Sequence, residues 1–91
     1  MKYEIKTTTQ FKKDFKLVKK QNRNMVLLKE VVEKLANGEV LDEKYKDHDL
    51  HGNWKGHREC HILPDWLLIY HKKENVLVLT LTRTGSHSDL F

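Results

Sequence analysis

Residue types that together can break a phosphodiester stand in the second half of this 91-residue chain. His61 lies just ahead of Pro64-Asp65-Trp66, Arg83 and His87 lie near the end, and Trp54, Trp66 and Phe91 supply aromatic faces. Cleaving RNA through its own 2′-hydroxyl needs a base for that proton, an acid for the 5′-oxygen leaving group and a cation facing the phosphorane. Imidazole serves as base or acid near neutral pH, each role contributing roughly 10²–10⁴ in rate, and the fork of Arg grips phosphate. Such chemistry calls for no metal ion and no cofactor. A base stacked on Trp or Phe adds about 1–3 kcal/mol.

Each group also has a plainer use. A His on a strand is commonly a surface or satisfied core residue, and Asp65 after Pro64 suits a turn whose carboxylate caps nearby N–H groups. Trp66 suits the core, and Arg83 suits an ion pair with Asp65 or Glu59. His57 and His71 read as surface. His48 with His51, and Cys60 with His61, look like metal-ligand pairs. Adjacent strand residues point to opposite faces, however, and the paired spacings of zinc sites are missing, so no metal site is expected. Cys60 shares its parity with Ile62, which directs it to the core as an inert thiol, and a lone cysteine forms no internal disulfide.

The elements that must position these groups can be read from hydrophobic period. Met1, Tyr3 and Ile5 alternate with polar neighbours, predicting a strand over residues 1–6. Thr7 with Gln10 is a possible capping box, and Phe11, Phe15 and Val18 then recur at helical spacing. After the polar break at 21–24, with Asn22 or Asn24 as cap, Leu27, Leu28, Val31, Val32 and Leu35 make a second helix that Gly38 can end. Residues 39–53 follow neither period and form the longest loop. From Trp54 the pattern becomes strands: Arg58, Cys60 and Ile62 on one parity, His57, Glu59 and His61 on the other. A turn at Pro64-Asp65 follows, then an apolar run 66–70 buried on both faces, a turn over 72–75 and a last strand over 76–83. The expected fold is α+β, in the order β-α-α-β-β-β. A small, mostly antiparallel sheet, a meander plus the N-terminal strand, carries the helical hairpin on one face. Residues 1–91 suit a single domain.

In that fold His61, Asp65, Trp66 and Arg83 share one edge of the sheet, and the segment bearing His87 leaves from the same edge. The loop at His48 enters the sheet at its opposite end, so strand geometry leaves its place open. Charge is uneven: residues 1–38 hold ten Lys/Arg against four acids (+6) and residues 39–91 seven against nine (−2). All six histidines fall in the second part. A polyanionic partner fits this split, and so does a solvated basic surface. No apolar run reaches membrane-spanning length and the start lacks an apolar signal core, so a cytoplasmic location is expected.

The motifs Asp47-His48-x-Leu50-x-Gly52-x-Trp54-Lys55-Gly56, Arg58-Glu59-x-His61-Ile62-x-Pro64-Asp65-Trp66 and Arg83-Thr84-Gly85-Ser86-His87-x-x-Leu90-Phe91 resemble the YafQ family of the RelE/ParE toxin superfamily. The likeness runs the whole length, though residues 1–38 match only in the strand and the basic helix pair. It implies a RelE-like domain acting as a ribosome-dependent mRNA endonuclease of a type II toxin–antitoxin system, cutting in the ribosomal A site and restrained by a cognate antitoxin. It also implies catalytic positions at His48, His61, Asp65, Arg83 and His87, with Trp66 and Phe91 on the codon bases. It draws the His48 loop toward the site. Within this reading Lys12, Lys13, Lys16, Lys19, Lys20 and Arg23 contact ribosomal RNA. A ParE-like gyrase inhibitor or a non-catalytic RNA-binding module are the alternatives.

Overall fold

Thr8 decides where the first helix starts. Thr7 still belongs to β1 (Glu4–Thr7), pairing with Leu81 of the last strand, so the cap falls one residue later than the Thr7–Gln10 box predicts. The Thr8 hydroxyl accepts the Phe11 N–H at 2.9 Å and opens α1 (Thr9–Lys20). In this computed structural model, which describes residues 1–91, Asn24 accepts the Val26 N–H at 3.1 Å and opens α2 (Met25–Ala36). Gly38 at φ +78° leaves that helix in the left-handed conformation that glycine takes without strain.

Four more strands complete the sheet: β2 (His48–Asp49), β3 (Arg58–Leu63), β4 (Trp66–Lys73) and β5 (Val78–Gly85). Their order is β1-β5-β4-β3-β2, with β1 parallel to β5 and the other pairs antiparallel. This is the expected α+β fold. Phe11 and Val18 of α1 and Leu28, Val31 and Leu35 of α2 pack with Cys60, Ile62, Trp66, Leu68, Tyr70, Leu79 and Leu81 as the main core. The burial of β4 on both parities has a second cause. Leu67 and Ile69 face away from the helices and are covered by Leu90, with Leu50 and Trp54 alongside.

Three local expectations change. Residues 39–53 hold single 3₁₀ turns at Glu43–Tyr45 and Gly52–Trp54 and the two-residue β2, which is too short to show a period of its own. The last strand runs over 78–85 because the preceding turn occupies 74–77, where Leu77 takes φ +53°. The C-terminal segment is a helical turn, α3 (His87–Leu90), capped by the Ser86 hydroxyl and pinned by buried Leu90.

Candidate active site

Residues directly opposite on neighbouring strands share a face of the sheet. The register therefore lays two rows across the face turned away from the helix hairpin: His48–Glu59–Ile69–Arg83 and His61–Leu67–Gly85. β2 brings His48 to His61, the placement that strand reasoning left open. The two rings lie 6.4 Å apart on either side of Glu59. His48 Nε2 stands 3.5 Å and His61 Nε2 3.9 Å from Glu59 Oε1. Each ring is oriented by a backbone carbonyl: His48 Nδ1 donates to Lys46 O at 2.6 Å and His61 Nδ1 to Pro64 O at 3.3 Å. That leaves Nε2 as the second nitrogen of each ring, turned toward Glu59.

Glu59 is the member that sequence reasoning passed over. It is 6% exposed, and its Oε2 is buried without any hydrogen-bond partner. A buried carboxylate with spare acceptor capacity is costly unless charge nearby answers it. The signal was present in the shared parity of Glu59 and His61.

Arg83 finds neither Asp65 nor Glu59. Its partner is Asp14 of α1, whose carboxylate accepts from Arg83 Nε at 2.8 Å and Nη2 at 3.1 Å and from the Thr84 N–H at 3.2 Å. β1 pairs with β5 only as far as Leu81, so Asp14 satisfies the exposed backbone of β5 beyond that point. Nη1 of Arg83 is left for another anion. Asp14, the one acid in a lysine-rich helix, lies at face spacing between Phe11 and Val18, a signal that could have exposed it.

Trp66 and Asp65 do not join His61. Trp66 is wholly buried on the helix side; its Nε1–H donates to Thr84 Oγ1 at 2.9 Å, and that hydroxyl donates to Leu67 O at 2.8 Å. With no exposed ring face, Trp66 stacks on no base in this conformation. Asp65 is exposed in the β3–β4 turn and meets Arg23 at 3.5 Å. Arg23 in turn lies 5.4 Å over the Trp66 ring with its side chain only 17% exposed, which withdraws it from the surface cations. Lys12, Lys13, Lys16, Lys19 and Lys20 are all exposed along α1.

His87 and Phe91 lie at the other end of the second row, since α3 starts two residues beyond Gly85. Their rings are 5.0 Å apart, Phe91 is half exposed, and Trp54 meets Phe91 edge-on at 6.3 Å. His87 is exposed on this docked turn. His57 and His71 are half-buried against each other at 5.3 Å and not plain surface residues. Cys60 is fully buried, and burial pushes its thiol far up, as an inert core residue. A cleft of about 440 Å³ opens beside His61, bounded by Leu27, Lys44, Tyr45, Lys46 and Leu63 among others.

Comparison with known proteins bears on this arrangement. The family described as "Bacterial toxin of type II toxin-antitoxin system, YafQ" matches residues 3–91. The chain is 42% identical over 89 residues to the mRNA interferase toxin YafQ of Escherichia coli K12, covering 97% of this chain and 95% of that protein. It superposes with TM-score 0.90 and 41% identity on the E. coli DinJ–YafQ complex, covering 98% of each chain. A metal-bound toxin from Helicobacter pylori gives TM-score 0.91 at 46% identity, covering 98% of this chain and 99% of that one. Here no group of three or more His, Cys, Asp or Glu side chains converges on one point as a metal would require. The Nδ1 atoms of His48 and His61 are taken by carbonyls, and both Nε2 atoms face Glu59.

Proposed function

Because the chain belongs to the YafQ family of toxins from type II toxin–antitoxin systems, we propose that it is a ribosome-dependent endoribonuclease that cuts mRNA in the A site of translating ribosomes. The observation that carries this reading is the buried carboxylate of Glu59 between two oriented imidazoles. His61, with His48 and Glu59 behind it, exchanges one proton at the scissile phosphate, and His87 at the far end of the second row exchanges the other. The 2′-oxygen attacks phosphorus as one group takes its proton. The 5′-oxygen departs with a proton from the other, leaving a 2′,3′-cyclic phosphate and a 5′-hydroxyl. Nη1 of Arg83 faces the charge that grows on the phosphorane. Asp65 acts through Arg23 and the β3–β4 turn, Trp66 holds that turn, and Phe91 offers the exposed aromatic face for a codon base. The cleft lined by Lys44 and Lys46 is large enough for one nucleotide and its phosphate.

A cognate antitoxin restrains the toxin in the cytoplasm, as the DinJ–YafQ complex pairs such proteins in E. coli. No helix here is long and apolar enough to cross a membrane.

Mapping new 5′ ends on mRNA in a translating extract, with and without intact ribosomes, tests the activity. Cuts at one codon register that require ribosomes and carry cyclic phosphate ends are expected. Cuts on free RNA at equal rate would overturn ribosome dependence, and fragments ending in 3′-hydroxyls with 5′-phosphates would overturn attack by the 2′-hydroxyl.

The lysines of α1 give a second expectation. Replacing Lys12, Lys13, Lys16, Lys19 and Lys20 together by Gln weakens ribosome binding and lowers the slope of log affinity against log salt. The slope falls by roughly 0.7–0.9 for each phosphate that is no longer neutralised. An unchanged slope would make this face a solvated surface only.

A further inference from the structure

We propose that Asp47, Arg58 and Tyr70 form a positioning clamp that holds the His48 imidazole against Glu59 from the opposite face of the sheet. The proposal deepens the acid–base reading above and rests on it for its catalytic consequence.

β2 is two residues long, and beyond it the Leu50 N–H to His57 O bond of 2.9 Å is the next backbone tie to the segment before β3. So short an edge strand is weakly held by its own ladder. What fixes it lies on the helix side. Arg58 spreads its guanidinium over both residues that flank His48: Nη1 donates to Asp49 Oδ1 at 2.6 Å, Nη2 to Asp47 Oδ2 at 3.2 Å and Nε to Asp47 Oδ1 at 3.4 Å. Tyr70 lies opposite Arg58 on β4, is 1% exposed, and donates its hydroxyl to Asp47 Oδ1 at 2.6 Å. Asp47 is thereby tied to a residue packed in the main core.

Side chains alternate along an extended chain. Drawing Asp47 and Asp49 to the helix face therefore drives His48 through to the other face, opposite Glu59. The donors are kept donating. Burial, then the bond to Asp47, pushes the Tyr70 phenol well above its usual range. Burial opposes the charge on Arg58, but the Asp47 hydrogen bonds outweigh it.

Tyr70→Phe removes one hydroxyl and keeps the ring that fills the core. In single-turnover cleavage it lowers the rate about tenfold or more, because a slightly misplaced proton-transfer group is costly, while KM is unchanged. In a His48→Ala chain the same substitution has no further effect, since its action passes through His48. Asp47→Asn, which keeps the size and the Tyr70 bond but loses the paired charge on Arg58, behaves alike. A purely structural residue would slow both backgrounds equally, and that result, or an unchanged rate in folded Tyr70→Phe, overturns the clamp. The imidazole NMR titration of His48 supplies a readout independent of cleavage: it moves in Tyr70→Phe if the clamp positions the ring and stays fixed if it does not. Should the wild-type chain cut no RNA, the functional reading falls and this titration still decides the clamp.

Discussion

His61→Ala and His87→Ala each slow ribosome-dependent cleavage by about 10²-fold or more, with thermal stability and ribosome binding close to those of the parent. The size follows from the worth of one general acid or base. His61 is oriented through Nδ1 by Pro64 O and has Nε2 directed to Glu59, so truncation deletes the atom proposed to exchange the proton and leaves the buried carboxylate without one of its two imidazoles. His87 is exposed at the start of α3, whose anchor is Leu90, and its removal leaves that anchor in place. Two groups that act on one transition state are not additive, so the double variant loses less than the product of the single effects. Rates of folded single variants within a few-fold of the parent would remove these residues from the chemistry. If only His87 mattered, the second proton group would have to be sought elsewhere on the same face.

The largest expected effect on stability belongs to Asp14. Asp14→Ala lowers stability by about 2–3 kcal/mol, somewhat under the ~3–5 kcal/mol for breaking a fully buried pair, because Arg83 keeps some access to solvent. For a domain of this size that is a fall in Tm on the order of 10–20 °C. The variant strips Arg83 of its partner and leaves the Thr84 N–H unpaired at the edge of β5. It also changes the acid limb of the stability curve. Burial alone would raise the Asp14 carboxyl, but the hydrogen bonds from Arg83, Gln10 and Thr84 outweigh it and hold the group below its ordinary value of 3.8. A depressed carboxyl stabilises the fold fully above that ordinary value and loses the contribution as pH falls through the lower, folded one. Parent and Asp14→Ala stabilities should therefore differ most near neutrality and converge in strong acid, as followed by denaturant unfolding at several pH values. A gap that is constant with pH would mean that Asp14 contributes packing only.

Cleavage by Asp14→Ala links the two results. If Arg83 faces the phosphorane as proposed, its release from α1 lets it swing away, and the rate of the folded fraction should fall as well. Asp14 would then be a positioning residue for Arg83.

Order and type of the main elements were legible in local pattern. The period of two at Tyr3 and Ile5, the helical spacing of Phe11 with Val18 and the two-sided apolar run at 66–70 each report burial within a few residues. Such signals survive whatever the rest of the chain does. The motif residues could also be picked out by type, and their resemblance to one family was carried by the second half of the chain. What tertiary structure alone decided is which of them meet. Hydrogen bonds between residues far apart in sequence leave no periodic trace. The pairing of Asp14 with Arg83, the reach of Arg23 to Asp65 and Trp66, and the approach of His48 to Glu59 and His61 depend on register, on a β-bulge and on a strand of two residues. A one-residue slip in any of these would send the same side chains to the other face of the sheet.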